Sequence, residues 1–147
     1  MKIIILRKFF FKIILLSFFY PLNILCQEKK LIEIIEAGKF SKDEENFPKA
    51  NILSKENNLR VKLFHDDATI ISDKTLFYSN ENKFFANGSV WLKQGDSLEL
   101  KSDYLNYDGN KGKAKAWGKV ILIQPDMTLK TDTLYLDRPE NIAFLEY

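Results

Sequence analysis

The sequence predicts an all-β protein of short antiparallel strands, organised in repeats of about thirty residues. Three observations predict it: an internal repeat, a period-two alternation of apolar residues, and regularly spaced turn residues. The segment Ala86–Val90 (ANGSV) recurs as Ala116–Val120 (AWGKV), and the stretch that follows each copy is also repeated. A fainter copy begins at Ser72. Such a period is typical of a small structural unit stacked on copies of itself.

Residues 1–26 have the order of a secretory signal peptide and are excluded from the fold. Four basic residues between positions 2 and 12 precede an apolar run from Ile13 to Leu25. That run is short for a membrane-spanning helix, which needs roughly 20 apolar residues. We expect cleavage after Cys26, with lipidation of Cys26 and an uncleaved anchor as the two alternatives.

Removing this segment changes the charge balance of the chain. The full sequence has 22 basic and 20 acidic residues, and the segment takes four basic residues and no acidic ones. The remainder therefore has 18 basic against 20 acidic residues, so its net charge gives no indication of nucleic-acid binding. Cys26 is the only cysteine, so the exported chain must rely on core packing and strand pairing instead of disulfides.

The next two segments differ in regularity. Residues 27–58 form a poorly regular lead-in, with an edge strand expected at Leu31–Ile35 and a charged loop at Lys39–Lys49. Residues 59–147 form the β-repeat domain. There, Leu98 and Leu100 alternate with polar neighbours, which is the pattern of strands with one buried face. Turns are expected at 87–88, 94–96, 108–110, 124–126 and 138–141. These signals predict roughly ten to twelve short strands and no amphipathic helix.

The alternation assigns one face of the sheet to the interior. Phe77, Trp91, Ile121 and Ile123 fall on the opposite face. The inward residues are Leu76, Tyr78, Phe84, Ala86, Val90, Leu92, Leu98, Leu100, Leu105, Tyr107, Ala114, Ala116, Val120, Leu122, Met127, Leu129, Leu134 and Leu136.

The repeat motifs resemble a known family. Ala-x-Gly-x-Val, then Gln-Gly-Asp at 94–96, then the stretch Asp103–Gly109 (DYLNYDG) are similar to the OstA-like amino-terminal domain. That repeat is found in the periplasmic lipopolysaccharide-transport protein LptA and in the periplasmic part of its outer-membrane partner LptD, and the likeness is greatest to OstA-like proteins of the Bacteroidetes. It covers residues 31–147 and is strongest over 84–137.

This resemblance implies a β-jelly-roll, an open sheet folded into a V, whose apolar groove holds the acyl chains of lipopolysaccharide (lipid A). It also implies a location in the periplasm, at or near the outer membrane, and edge-to-edge docking with other jelly-roll transport proteins or with further copies of the chain. The expected oligomer edge is Ile142, Ala143, Phe144 and Leu145. The expected groove residues are Leu76, Phe84, Val90, Leu92, Leu98, Leu100, Leu105, Val120, Leu122, Leu129, Leu134 and Leu136.

From the residues alone, the inward face either packs as an ordinary core or leaves space for an apolar ligand. Each buried methylene contributes about 0.8 kcal/mol, so acyl chains can be held without specific polar contacts. The alternatives are a non-enzymatic β-repeat scaffold with a dry interior and a detached periplasmic domain of the outer-membrane lipopolysaccharide-assembly protein.

No enzymatic activity, cofactor or metal site is expected. The single histidine, His65, is interpreted as part of a solvated turn, and no nucleophile or phosphate-loop motif occurs. The repeated aspartates are interpreted as turn-forming residues.

Export yields a direct prediction. The mature protein should begin at Gln27, because the basic start, the apolar run and Pro21 together form a signal peptide. Amino-terminal sequencing of the protein from the cell envelope checks this. An intact Met1 on a cytoplasmic protein would contradict it.

Overall fold

A computed structural model describes residues 30–140 and 142–145, and the predicted signal peptide lies outside this range. The described residues are all-β, as predicted, with one 3₁₀ turn at Ser79–Glu81 and no α-helix. No helix among them is long and apolar enough to cross a membrane. The strands are β1 (Glu33–Glu36), β2 (Lys39–Ser41), β3 (Asn51–Ser54), β4 (Val61–His65), β5 (Ala68–Ser72), β6 (Lys74–Tyr78), β7 (Lys83–Gln94), β8 (Leu98–Asp108), β9 (Lys113–Gln124), β10 (Met127–Asp137) and β11 (Ile142–Phe144).

All the described strands belong to one antiparallel sheet, which forks at β7. The first half of β7 pairs with β6, and the sheet continues from there to β3 and β2. The second half of β7 pairs with β5, and the sheet continues to β4 and β1. On its other side β7 pairs along its length with β8, followed by β9, β10 and the short β11.

Each long strand is bent at its middle, and glycine allows two of these bends. Gly88 has φ +80° and Gly118 has φ +76°, a left-handed backbone conformation that costs other residues energy. Each glycine lies against an aspartate of the neighbouring segment, so that an added Cβ would stand 2.8 Å from the Cβ of Asp73 or Asp103. The strand pairing shifts register at both bends. We call the line of bends the corner.

In each repeat, the residue before the aspartate at the corner (Asp73, Asp103 or Asp132) makes the same hydrogen bond. The hydroxyls of Ser72, Ser102 and Thr131 each donate to the carbonyl two residues further on, over 3.3, 2.9 and 3.2 Å. These short hydroxyl side chains stabilise a local turn of the backbone. The sequence repeat is therefore a repeat of corners as well as of strands.

The corner divides the sheet into two walls. Thr75 and Phe77 of one wall lie on the same interior as Leu63 and Ile70 of the other. Because apolar residues of both walls form one buried cluster, the walls face each other across a shared core. The first wall contains β2, β3, β6, β11 and residues 83–87, 104–108, 113–117 and 133–137. The second wall contains β1, β4, β5 and residues 90–94, 98–102, 120–124 and 127–131.

The structure corrects several sequence-based expectations for the repeats. Asn87 and Gly88 do not end a strand, because the positive φ of Gly88 bends β7 and the strand continues. Leu76 lies on the outer face and Phe77 in the main core, because the corner at Asp73 shifts the alternation of β6. The alternation of inward and outward residues is therefore offset by one position between β5 and β6.

The lead-in contributes more structure than one edge strand. The expected loop from Lys39 begins with strand β2, and β3 places Leu53 in the main core with no exposed surface. Ile32 is also buried in that core. Strands β1, β2 and β3 of the lead-in are thus part of the same sheet as the repeats.

Replacing Gly118 by Ala tests the corner. We expect a loss of at least about 2 kcal/mol in the free energy of unfolding, because the left-handed conformation and the contact with Asp103 both oppose a Cβ. Gly95 is the matched control, since it also has a positive φ but no atom within 4 Å of an added Cβ. Urea unfolding of both variants measures the difference. Equal losses for the two variants would contradict a role for the corner contact.

Candidate functional site

All but one of the predicted groove residues lie between the two walls, in or against one apolar cluster. Leu92, Leu105, Leu122 and Leu134 have no exposed surface. Leu129 is only partly buried and packs against the cluster. Leu76 belongs to a separate outer cluster with Ala50 and Ile52. The other predicted groove residues that belong to the main cluster are Phe84, Val90, Leu98, Leu100, Val120 and Leu136.

The side of this interior opposite the corner, here called the mouth, is crossed by polar side chains. Arg138 follows β10 in the first wall, and its side chain is only 7% exposed. Its Nε donates to Oε1 of Gln94 over 3.1 Å, and Nη2 donates to Asp67. Gln94 and Asp67 both lie in the second wall or its β4–β5 turn and are themselves hydrogen-bonded. Arg138 therefore ties the end of one wall to the end of the other.

A second connection across the mouth joins Tyr107 and His65. Arg138 Nη1 donates to the Tyr107 hydroxyl over 2.6 Å, and that oxygen is 2.7 Å from His65 Nδ1. In the tautomer of His65 that carries its proton on Nε2, the Tyr107 O–H donates to Nδ1, and Nε2–H donates to the Lys30 carbonyl at 3.1 Å. In this arrangement every polar group in the chain of bonds has a partner. We call the set Asp67, Gln94, His65, Tyr107 and Arg138 the latch.

His65 is therefore not part of a solvated turn, as the sequence suggested. It is 5% exposed and shares the inward face of β4 with Val61 and Leu63. The turn begins one residue later, at Asp66, which has the positive φ. The usable signal in the sequence was Tyr107, since a phenol at the end of an inward-facing row requires a hydrogen-bond partner.

The lead-in also crosses the mouth beside the latch. The Ile32 amide donates to Asn82 Oδ1 over 2.8 Å, and Asn82 Nδ2 donates to the Lys30 carbonyl. Lys30 forms an ion pair with Asp66. A polar cavity of about 620 Å³ opens here, lined by both walls' ends, including Lys30, Asp67 and Arg138. Water therefore reaches the outer side of the latch.

Burial and charge shift two pKa values at the mouth. Burial of the phenol raises the pKa of Tyr107 above its ordinary value of 10.0, and the nearby Arg138 guanidinium opposes this. The hydrogen bond from Lys30 lowers the pKa of Asp66. Within the described residues, no three His, Cys, Asp or Glu side chains are grouped so that they could hold a metal ion.

The outer surface carries aromatic residues and open strand edges. Phe85, Tyr104 and Trp117 stack on neighbouring strands of the first wall, with ring centroids 5.5–6.3 Å apart. The predicted oligomer edge contains strand β11, which pairs only with β10 in the described part of the chain. Ile142 and Phe144 are about half exposed, Ala143 is exposed, and Leu145 packs partly against the main core.

Replacing Tyr107 by Phe tests the latch energetically. At pH 7 we expect a loss of about 1–3 kcal/mol in the free energy of unfolding, because Arg138 and His65 lose a buried partner. Since the fold raises the pKa of Tyr107, the wild-type advantage is fully present below pH 10 and declines as the pH rises above it. Urea unfolding between pH 7 and 11 measures this, with Tyr104→Phe as the control. A wild-type advantage that stays constant through pH 11 would contradict it.

Comparison with known proteins places the chain in a family. A family model described as OstA-like protein matches residues 29–146. Among solved structures, the chain is similar to LptH, the LptA homologous periplasmic component of the lipopolysaccharide transport device from Pseudomonas aeruginosa. The TM-score is 0.64 at 11% identity, over 77% of this chain and 80% of that one, so this likeness shows the fold. No curated protein matches. The two-walled β-fold and the family match over most of its length agree with the sequence motifs, and the chain belongs to the family of OstA-like proteins.

Proposed function

We propose that this protein is a periplasmic component of lipopolysaccharide transport that shields acyl chains between its two walls. One observation carries the proposal: both walls contribute apolar side chains to a single buried cluster. Among the described strands, the walls are continuous with each other along the corner, so they can separate at the mouth without breaking a strand pair. The family and the similarity in fold to a lipopolysaccharide-transport component support the same function.

The interior supplies binding energy without specific chemistry. Each methylene transferred from water to an apolar surface contributes about 0.8 kcal/mol, and Leu100 and Leu122 are directly paired across β8 and β9 at the centre of this surface. A carrier of this kind needs neither a catalytic group nor a cofactor. Leu100 and Leu122 are also buried, with 1% and 0% of their surface exposed. This burial favours a second candidate function, that of a non-enzymatic scaffold with a closed core. A detached periplasmic domain of the outer-membrane assembly protein would have the same chemistry with a different partner.

Partners of this protein would dock on its open edges. Strands β1 and β11 lie at the two ends of the long strand path, and both expose apolar residues, with Ile35 and Phe144 each 51% exposed. Unpaired backbone groups on such edges template pairing with another chain. Edges at opposite ends give head-to-tail contacts that do not close, with a further copy or with a jelly-roll partner of the envelope.

Site-specific photo-crosslinking tests the acyl-chain groove. A photoreactive residue at Leu100 or Leu122 should capture lipopolysaccharide in the envelope, because both side chains face the interior. The matched controls are Glu99 and Lys101, which flank Leu100 in β8 and point outward. Circular dichroism of each variant checks that the fold is retained. Equal labelling at all four positions would leave only surface contact and contradict the groove.

Proline substitution tests the edge. Successive N–H groups of an edge strand point alternately towards the neighbouring strand and outward. Ala143→Pro and Phe144→Pro therefore remove N–H donors that point in opposite directions. The variant that loses the outward donor should show weaker self-association with the fold retained. The other variant should loosen β11 from β10. Sedimentation velocity over a range of concentrations compares both with the wild type. A wild type that stays monomeric and captures no jelly-roll partner would contradict edge docking.

A further inference from the structure

The latch crosses the molecule at the place where a lipid would have to enter. The corner closes one side of the interior with continuous strands. On the opposite side, among the described residues, the two walls are joined by side chains of the latch and by the contact of Ile32 with Asn82. Arg138 and Asp67 are 71 residues apart in sequence, so their contact is one of tertiary packing and not of a local turn.

We propose that the latch is a gate, and that its opening controls the entry of acyl chains into the apolar interior. This inference rests on the proposed function. In the closed state described here, Leu105 and Leu134 have no exposed surface. An acyl chain cannot reach them unless the walls separate. Separation at the mouth requires Arg138 to leave Gln94 and Asp67, and Tyr107 to leave His65.

The chemistry of the latch suits reversible opening. Its bonds are polar and lie beside a cavity of about 620 Å³ that water can fill. When they break, water replaces the lost partners, so the net cost is far smaller than the strength of the bonds themselves. The Asp67 side chain is already 56% exposed. A purely apolar seal would offer no such exchange, because separating it exposes apolar surface to water.

The latch also links each element that opening must move. Arg138 directly follows β10, Tyr107 lies at the end of β8, and His65 is the last residue of β4. With the His65 proton on Nε2, the hydrogen bonds run in one direction from Arg138 through Tyr107 and His65 to the Lys30 carbonyl. Removing any member leaves a buried donor or acceptor unpaired, which favours the open arrangement, in which water satisfies that group.

Covalent closure of the mouth provides the test. The chain carries Cys26→Ser, which removes its only cysteine, together with Asp67→Cys and Arg138→Cys. These two cysteines are bridged by a short bis-methanethiosulfonate reagent that dithiothreitol removes. The probe is a fatty acid with a terminal dansyl group, whose emission rises in apolar surroundings, and its uptake is followed by stopped-flow fluorescence.

We expect the unbridged double-cysteine protein to take up the probe on the order of tenfold faster than the Cys26→Ser parent, since several hydrogen bonds of the closed form are lost. Bridging should reduce uptake below that of the parent, and dithiothreitol should restore it. The matched control is Lys113→Cys with Asp137→Cys. These two residues form an ion pair of 2.8 Å within the first wall, so their bridge should leave uptake at the rate of that variant unbridged.

The outcomes separate the gate from the proposed function. Uptake that is unchanged by the bridge at 67 and 138 overturns the gate and leaves acyl-chain binding intact. Equal slowing by both bridges also overturns it, because the effect would then be one of general rigidity. Absence of uptake in every form overturns both the gate and the acyl-chain groove.

Discussion

The architecture of this protein depends on a backbone bend that only certain residues tolerate. Gly88 and Gly118 adopt a left-handed conformation in mid-strand, each against an aspartate whose Cβ fills the space that a side chain would need. Without these bends the sheet would remain open, with its apolar face exposed to water. With them the same strands form both walls, and each repeat provides its own share of the interior. The core, the mouth and the position of the latch all follow from this geometry.

The two sides of the interior are held together by different kinds of interaction. Along the corner, strand hydrogen bonds and the hydroxyls of Ser72, Ser102 and Thr131 fix the bend. Across the mouth, Arg138 joins the walls through side chains that water can replace. Backbone pairing on one side of the core and side-chain contacts on the other therefore hold the two walls together. This asymmetry is the physical basis of the proposed gate.

The sequence pattern was sufficient to predict the strands. It did not predict that β7 continues through Gly88, nor the contacts between side chains of distant strands. Alternation correctly assigned Leu100, Leu122 and Leu134 to the interior, because one-sided burial imposes a period of two. It failed at Leu76, because the corner at Asp73 shifts the phase, and a glycine that bends a strand has the same local signature as one that ends it. The contact of His65 with Tyr107 joins strands that are not neighbours in the sheet, and no local pattern encodes it.

The repeated corner also has a consequence for how such a protein changes in size. Each strand pair carries its own bend, its own inward leucines and its own share of both walls, and it pairs with the next through ordinary sheet hydrogen bonds. Duplication of the gene segment that encodes one such unit would therefore lengthen the interior between the walls without altering its cross-section. In this architecture the interior can therefore grow longer by the addition of units, with no change to the residues of the existing ones.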